Sequence, residues 1–427
     1  MNQIWQSIAS DGNTQWVLWS TLLLGIASGI LGSFALLKKQ SLVGDAVAHA
    51  SLPGICLAFM VIGEKNFFLL LVGAAATGLL AAYTIQLISG TTRIKKDTSI
   101  GLVLSVFFGA GIVLLTKVAQ MPSGNQSGLN DFIFGQAASL VGRDVQMMAI
   151  TAAAVILVVL LLFKELKIST FDADFARGIG LPVKGLNFLF MSLLVLTIVI
   201  GIQAVGVILM AALLITPAVS ARYWTDSLTK MVIISSFFGG MSGMIGTLIS
   251  TLGKGLSTGP FIVLSATFFF AVSVLFSPHR GIVSTLLRRK QNDRRLAFKW
   301  IMKELYNQPE PLSRNNLFLQ SHFSNGQCKA VLKDLLEKGY IQEKERIELT
   351  VAGKEKAYQY KLVDEILELK DMYPNDMAFD HLEWLEYGQA EQISREQLVE
   401  IDEKITAFHD QFVLPSFTSA YEGGNKS

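Results

Sequence analysis

Long apolar runs separated by short polar loops alternate along the chain as far as residue 276. The runs cover residues 17–37, 43–62, 67–87, 99–118, 145–163, 186–221, 231–252 and 260–276. About twenty apolar residues in a helix span the roughly 30 Å hydrocarbon core of a bilayer, so each run predicts at least one transmembrane helix. The run 186–221 is too long for one helix and barely long enough for two, with a turn indicated near Gly206. The pattern predicts an all-α polytopic membrane domain of about nine transmembrane helices, or eight and a re-entrant segment.

The remainder of the chain is polar and changes its periodicity. Short amphipathic helices fit residues 294–306, 313–321 and 326–338, and charged strand-like residues follow Gly339. Another helix then runs to about residue 372. Three helices, a short hairpin and a further helix are typical of a winged-helix α+β domain. We therefore expect a transmembrane domain over 1–280, a basic linker over 281–291, and a winged-helix-like domain with a helical extension over 292–427.

Charge is distributed as unevenly as hydrophobicity. Residues 1–299 hold 22 lysines and arginines against 11 acidic residues, whereas residues 300–427 hold 14 against 23. Basic clusters such as Lys38-Lys39 follow every second apolar run, and by the positive-inside rule those ends are cytoplasmic. This places the N-terminus outside and the C-terminal domain in the cytoplasm, in a bacterial cell (inner) membrane. No basic segment precedes the first run, so no cleavable signal peptide is expected.

Two ionisable residues, Asp45 and His49, lie inside the second apolar run. Positions i and i+4 of a helix share one face, so the two side chains can present an oxygen and a nitrogen to one divalent cation. A mixed carboxylate and imidazole site suits Mn²⁺, Fe²⁺ or Zn²⁺. Ionisable groups within a membrane helix are costly and usually functional. The alternative is that the two side chains pair only with each other or lie in the wet interfacial layer. Cys56 is better explained as a small apolar filler.

Several other chemistries are excluded by what the sequence lacks. There is no G-x-x-x-x-G-K-[ST] phosphate loop, so this chain is not itself an ATPase. The membrane domain holds no H-E-x-x-H or G-x-S-x-G motif, and an enzyme is not indicated. The two cysteines lie in regions that should not share a compartment, which rules out a disulfide framework or a cysteine zinc site. No permanently bound cofactor is expected.

Four motifs, in order, carry a resemblance to a known family. The segment 41–54, S-L-V-G-D-x3-H-A-x2-P-G, resembles the signature of the zinc/manganese/iron permease family of ABC importers (ABC-3 type metal permeases). Residues 129–135 resemble its external loop, residues 172–180 its cytoplasmic segment, and residues 206–218 its late transmembrane motif. The resemblance implies that Asp45 and His49 form the intramembrane metal site. It also implies a separate cytoplasmic ATPase, an extracytoplasmic metal-binding protein and a second permease subunit, either a second copy or a paralogue.

The cytoplasmic segment has a local structure of its own. It predicts a short helix capped at its N-terminus by Asp172 and stopped by Gly180. In the family this segment, of pattern D-x-x-x-A-x-x-x-G, docks on the ATPase. The resemblance assigns that role here to Asp172, Asp174, Ala176, Gly178 and Gly180.

The C-terminal domain resembles the manganese- and iron-dependent winged-helix repressors. Residues 335–341 and 349–353 are similar to their third helix and wing, and residues 360–365 and 381–387 to their metal-binding helices. The resemblance offers Glu365, His381 and Glu383 as a regulatory metal site. The chain departs from the family where Tyr360 and Tyr387 replace histidines. The acidic charge argues against DNA as a partner, since DNA-binding proteins use clustered positive charge. We interpret the domain as a regulatory or assembly module.

Together these observations predict the permease subunit of an ATP-binding cassette importer, in contact with membrane lipid, that moves a divalent transition metal into the cytoplasm. Manganese is the favoured metal, with zinc and iron as alternatives. Two other classes remain open from the residues: a membrane-tethered, metal-responsive transcriptional regulator, and an ion-coupled secondary metal transporter. DNA binding by residues 292–427 would favour the first, and uptake without an ATPase the second.

Overall fold

The computed structural model describes residues 12–62, 67–120, 142–251, 256–308, 310–343, 345–372 and residue 403. These divide into two compact units, which we call the membrane unit, Met1–Thr285, and the C-terminal unit, Leu286–Ser427. Helices make up the membrane unit: α1 (Gly12–Leu37), α2 (Ser41–Ile62), α3 (Phe67–Thr91), α4 (Lys96–Ala119), α5 (Arg143–Leu161), α6 (Phe163–Phe171), α7 (Ala173–Gly178), α8 (Val183–Val205), α9 (Val207–Trp224), α10 (Leu228–Thr251) and α11 (Thr258–Phe276).

Seven described helices are long and apolar enough to cross a membrane: α1, α2, α3, α4, α8, α10 and α11. An eighth span results if α5 and α6, which meet at a 67° bend, count as one. The described residues therefore give fewer spans than the predicted nine, and the upper count of eight agrees with the alternative prediction. The difference lies in α9, which contributes only a shorter apolar helix, because its 18 residues extend about 27 Å. The turn predicted near Gly206 is present between α8 and α9, where Gly206 adopts a φ of 95°.

Glycines let α1 and α10 approach until their backbones touch. A Cβ on Gly25 would overlap the carbonyl oxygen of Gly239 and lie 2.9 Å from the nitrogen of Gly240. Beside this crossing, the Ser235 hydroxyl donates to the Gly29 carbonyl oxygen at 2.8 Å. Small residues and interhelical hydrogen bonds of this kind hold membrane helices together, since lipid is as apolar as the side chains.

Helix α2, which carries Asp45 and His49, is packed on two sides. It contacts α3 and α4, and its residues from Ser51 to Cys56 are all buried. A tight turn of residues 38–40 joins it to α1, with Lys39 at a φ of 55° and the Gln40 N–H donating back to the Ala35 carbonyl. The start of α2 is therefore fixed relative to the end of α1.

The C-terminal unit follows the predicted order of elements. The unit contains most of α12 (Ile282–Asn307). The elements that follow are α13 (Arg314–Gln320), α14 (Asn325–Glu337), β1 (Ile341–Glu343), β2 (Ile347–Leu349) and α15 (Val351–Met372). The strands are antiparallel, with Ile341 opposite Leu349. Ser324 and Gln327 form a capping box at the start of α14, and Gly339 turns the chain into β1 with a φ of 73°. Residues predicted as the basic linker 281–291 are helical from Ile282 onward.

Candidate metal site

Asp45 and His49 lie side by side on α2, as their spacing predicts. His49 Nε2 and Asp45 Oδ1 are 3.4 Å apart, and the side chains of His49 and Asp45 are 18% and 37% exposed. Two ligand atoms that bind one ion at about 2.1–2.2 Å lie roughly 3.0–3.6 Å apart when the angle between them is between octahedral and tetrahedral. The observed separation therefore fits a single ion held between the two side chains.

Neighbouring residues determine which nitrogen of His49 can meet the ion. The ring lies edge-on against Phe108 of α4, with ring centroids 4.8 Å apart. Nδ1 is buried and has no hydrogen-bond partner among the described residues, whereas Nε2 faces Asp45. The imidazole thus offers Nε2 to an ion and keeps Nδ1 inside the protein.

The sequence also leaves one backbone carbonyl oxygen near the pair without its helical hydrogen bond. Pro53 lies four residues after His49 within the continuous helix α2 and has no N–H. The His49 carbonyl oxygen therefore lacks its usual helical donor.

The pair does not form a complete coordination shell within one chain. Among the described residues, no group of three or more histidine, cysteine, aspartate and glutamate side chains is placed to hold a metal ion. Cys56, two turns further along α2, is buried and not part of such a group. Two protein ligands on a partly exposed helix face leave room for further ligands from outside this subunit.

The predicted docking segment, residues 172–180, comprises the N-cap residue of α7, all of α7 and the two residues that follow it. Oδ1 of Asp172 accepts hydrogen bonds from the N–H groups of Asp174 at 3.1 Å and Phe175 at 2.8 Å, which confirms it as the N-cap. Ala176 is buried, and Gly180 ends the segment with a φ of 86°. Sequence reasoning missed the exposed apolar side chains here, although their i, i+4 spacing in a polar stretch was visible: Phe171, Phe175 and Ile179, which are 62%, 57% and 52% exposed.

Aromatic contacts join this segment to the start of α2. Phe163, the first residue of α6, packs edge-on against the buried Phe34 of α1, with centroids 5.8 Å apart. Phe34 also lies 6.4 Å from Phe190 of α8. The Lys38 ammonium lies 4.8 Å from the Phe190 ring centroid and donates to Oδ1 of Asn187 at 2.8 Å. Lys38 belongs to the turn that leads into α2. A series of side-chain contacts therefore connects the first residue of α6 to the start of α2.

Lys38 is held in an unusual environment in this chain of contacts. Burial, and secondarily the charge of the nearby Lys96, lower the pKa of Lys38 from 10.5 to about 8. The partners seen for its ammonium are an amide oxygen and an aromatic ring rather than a carboxylate. A packing change at this turn would therefore alter the environment of the Lys38 ammonium, whose charged form is already disfavoured by burial.

The remaining candidate residues are only partly within the described chain. Glu365 lies on α15, whereas His381 and Glu383 lie outside the described residues. Tyr360 is buried in the core of the C-terminal unit and packs against Phe298. The external loop motif of residues 129–135 also lies outside the described residues.

Comparison with known proteins places this chain in one family. The sequence pattern of the ABC 3 transport family matches residues 10–277. The manganese transport system membrane protein MntC of Bacillus subtilis (strain 168) is 47% identical over 378 residues, covering 86% of this chain and 86% of that protein. The zinc transport system membrane protein TroC of Treponema pallidum (strain Nichols) is 46% identical over 282 residues, 66% of this chain and 95% of that protein.

A solved structure is similar as well. PsaBC from Streptococcus pneumoniae in complex with Fab matches with a TM-score of 0.58 at 35% identity, over 65% of this chain and 97% of that chain. The fold and site define a polytopic membrane permease. The chain belongs to the ABC 3 transport family, and the prediction that it is the permease of an ABC importer is confirmed.

Proposed function

We propose that this permease imports Mn²⁺ through the site formed by Asp45 and His49. The observation that carries the proposal is the 3.4 Å separation of His49 Nε2 and Asp45 Oδ1, which fits two ligands of one ion. Oxygen and imidazole ligands together suit first-row divalent metals. The relative named for manganese transport aligns over 378 residues, more than the 285 of the membrane unit, so its likeness extends into the C-terminal unit. Zinc is the second candidate, because TroC is named for zinc transport.

Uptake of labelled metal by cells or proteoliposomes that contain the assembled transporter tests this proposal. Asp45→Ala and His49→Ala should each abolish uptake while expression and assembly stay normal. His279→Ala is the matched control, since His279 is exposed beyond the last span. Unchanged uptake in both site variants would remove the pair from the pathway. Competition between Mn²⁺, Zn²⁺ and Fe²⁺ then identifies the metal.

We further propose that a second copy of this permease completes the site. Two ligands do not fill the coordination shell of a divalent metal, and the pair lies on a partly exposed face. Two facing copies would supply two carboxylates and two imidazoles. Co-expression of wild-type and Asp45→Ala copies tests this: a mixed dimer should transport poorly, whereas independent sites would retain half of the uptake.

The proposed coupling to ATP hydrolysis rests on α6 and α7. This chain has no phosphate-binding loop, so a separate cytoplasmic ATPase supplies the energy. Exposed aromatic side chains are typical anchors at protein interfaces, which points to Phe171, Phe175 and Ile179 as the docking surface. Phe175→Ala should weaken co-purification of the ATPase, whereas Phe237→Ala, equally exposed on α10, should not. Normal co-purification of the Phe175→Ala complex would exclude this surface.

The proposed arrangement places the N-terminus outside a bacterial cell membrane and the C-terminal unit in the cytoplasm. An extracytoplasmic metal-binding protein would deliver the ion to the outer end of the permease. ATP-driven movement of α6 and α7 would reach the start of α2 through Phe163, Phe34 and Phe190. A reporter fused after residue 427 that is active only in the cytoplasm tests the orientation.

We propose that the C-terminal unit is a winged-helix-like regulatory or assembly module. Its helices, two-stranded hairpin and final helix support this fold, and its excess of acidic residues opposes DNA binding. A regulatory metal site would use Glu365, His381 and Glu383. Glu365→Gln and His381→Ala should leave the transport site intact but remove any dependence of uptake on prior metal exposure. Salt-dependent binding of duplex DNA by the full chain would instead support a membrane-tethered regulator.

A further inference from the structure

One apolar stripe runs along α12, but only its second half is packed against other described residues. In that half the stripe lies in the core of the C-terminal unit: Ala297, Phe298, Ile301 and Met302. In the first half, the side chains that continue the same helix face are exposed by 40–60%: Ile282, Val283, Leu286 and Leu287. An amphipathic helix that leaves one half of its apolar face uncovered has a binding surface there.

The first turn of α12 is held at the boundary of the membrane. Helix α11, a membrane span, ends at Phe276, only a few residues before α12 begins. The Gly281 N–H donates to the Ser277 carbonyl at 3.0 Å, and the Ser284 hydroxyl donates to the same oxygen at 2.7 Å. These bonds keep the start of α12 against the end of α11. The uncovered apolar side chains therefore begin where the bilayer ends.

Positive charge follows immediately along the same helix. Five basic residues lie within eight positions, against the single acidic residue Asp293: Arg288, Arg289, Lys290, Arg294 and Arg295. Lys290 lies four residues after Leu286, on the same face and about 6 Å further along the axis. The headgroup layer is roughly 5–8 Å thick on each side of the bilayer, so a lysine or arginine there can reach anionic phosphates while the apolar residues enter the acyl region.

We propose that the first half of α12 binds the anionic surface of the leaflet at which α11 ends. Ile282, Val283, Leu286 and Leu287 enter the boundary of the acyl chains, and Arg288, Arg289 and Lys290 contact anionic phospholipid headgroups, whereas Arg294 lies 3.6 Å from Asp334 of α14. Basic clusters next to a membrane span and on an amphipathic helix attract anionic lipid in this way. The inference uses only the placement of α12 next to a membrane span and is independent of the metal site.

Nitroxide labels on the full-length protein in lipid nanodiscs test the proposal. Leu286→Cys and Leu287→Cys are labelled one at a time, and Leu319→Cys, 84% exposed in α13, is the control. The native Cys56 and Cys328 are buried. Accessibility to oxygen, which concentrates in lipid, is compared with accessibility to a water-soluble nickel chelate. The nanodiscs contain either phosphatidylcholine alone or equal parts of phosphatidylcholine and phosphatidylglycerol.

The two labels on α12 should be accessible to oxygen and protected from nickel, more strongly with phosphatidylglycerol, while the control label stays accessible to nickel. The combined variant Arg288→Gln, Arg289→Gln and Lys290→Gln should lose the difference between the two lipids. Three results would overturn the proposal. Nickel access at both α12 positions would show a helix in water. Protection from both reagents would show that protein, either residues 373–427 or a second copy, covers the face. Equal protection from nickel in both lipids would show that anionic headgroups do not contribute to the binding.

Discussion

The packing of the metal-site helix against α3 can be tested with a single methyl group. Gly54 of α2 faces Gly73 and Thr77 of α3, and the two glycines contact each other reciprocally. A Cβ added to Gly54 would overlap the Gly73 carbonyl oxygen and lie 2.6 Å from the Gly73 carbonyl carbon, where ordinary contact begins at 3.4 Å. Both obstacles are backbone atoms, so a rotamer change cannot relieve them. Gly54→Ala must move α2 away from α3.

The required movement sets the size of the effect. Restoring ordinary contact with the carbonyl carbon needs a shift of 0.8 Å, the difference between 3.4 and 2.6 Å, and the oxygen requires more. Overpacking of this kind costs about 1–3 kcal/mol. Gly54 lies five residues after His49, and a misplacement of about 1 Å can cost on the order of 10²-fold in the rate of a reaction that depends on geometry. We therefore expect both a lower melting temperature and a strong loss of metal uptake.

Fluorescence-detected thermal unfolding of the purified complex and initial rates of labelled-metal uptake measure the two effects. Gly90→Ala on α3 is the matched control, because a Cβ there meets no atom within 4 Å. Alanine is favoured over glycine in a helix by up to about 1 kcal/mol, so the control should be neutral or slightly stabilised. Wild-type stability and uptake in Gly54→Ala would show that α2 and α3 are not packed as described.

Three further substitutions test the site and its coupling. His49→Cys replaces a nitrogen ligand by a softer thiolate, so the ratio of Zn²⁺ to Mn²⁺ uptake should rise in competition assays. Because the folded-state pKa of Lys38 is lowered to about 8, the folded chain binds fewer protons than the unfolded chain between pH 8 and 10.5, and stability should rise with pH over this window. Lys38→Met should flatten that rise, which is on the order of 1–3 kcal/mol after allowance for solvent screening. Phe34→Leu should break the contact with Phe163 and lower the metal imported per ATP hydrolysed, whereas Phe237→Leu on the exposed face of α10 should not.

The membrane helices were predictable because each is a local property of about twenty consecutive residues. Hydrophobic run length located α1 to α4 closely, and the basic turns marked their ends. In the region 186–221 the turn near Gly206 was predicted, but run length alone does not say how long the helix on each side of it will be. The break depends on Gly206, whose positive φ ends α8 and starts α9. The shortness of α9 lowers the count from nine to eight, and the count falls to seven if the bent pair α5 and α6 is not counted as a span.

The metal pair was predictable and its surroundings were not. Asp45 and His49 are joined by helix geometry, which sequence spacing determines. Phe108, which packs against the His49 ring, lies on another helix 59 positions later, and no local pattern links the two. The contact of Gly54 with Gly73 is also long-range. Sequence spacing predicted that the two side chains lie together, whereas the distances to their neighbours required the packed helices.

The surroundings of His49 agree with its proposed role in binding an ion that is then released into the cytoplasm. When Nε2 of a neutral imidazole binds a metal, its proton lies on Nδ1, and ligating histidines usually donate that proton to an acceptor that strengthens the site. Here Nδ1 is buried without such a partner among the described residues. A histidine ligand that lacks this second hydrogen bond typically binds its metal about 10- to 100-fold more weakly. Movement along a pathway requires binding strong enough to admit the ion and weak enough to release it. In the proposed site, an imidazole without this support would hold the ion less tightly, which favours its release.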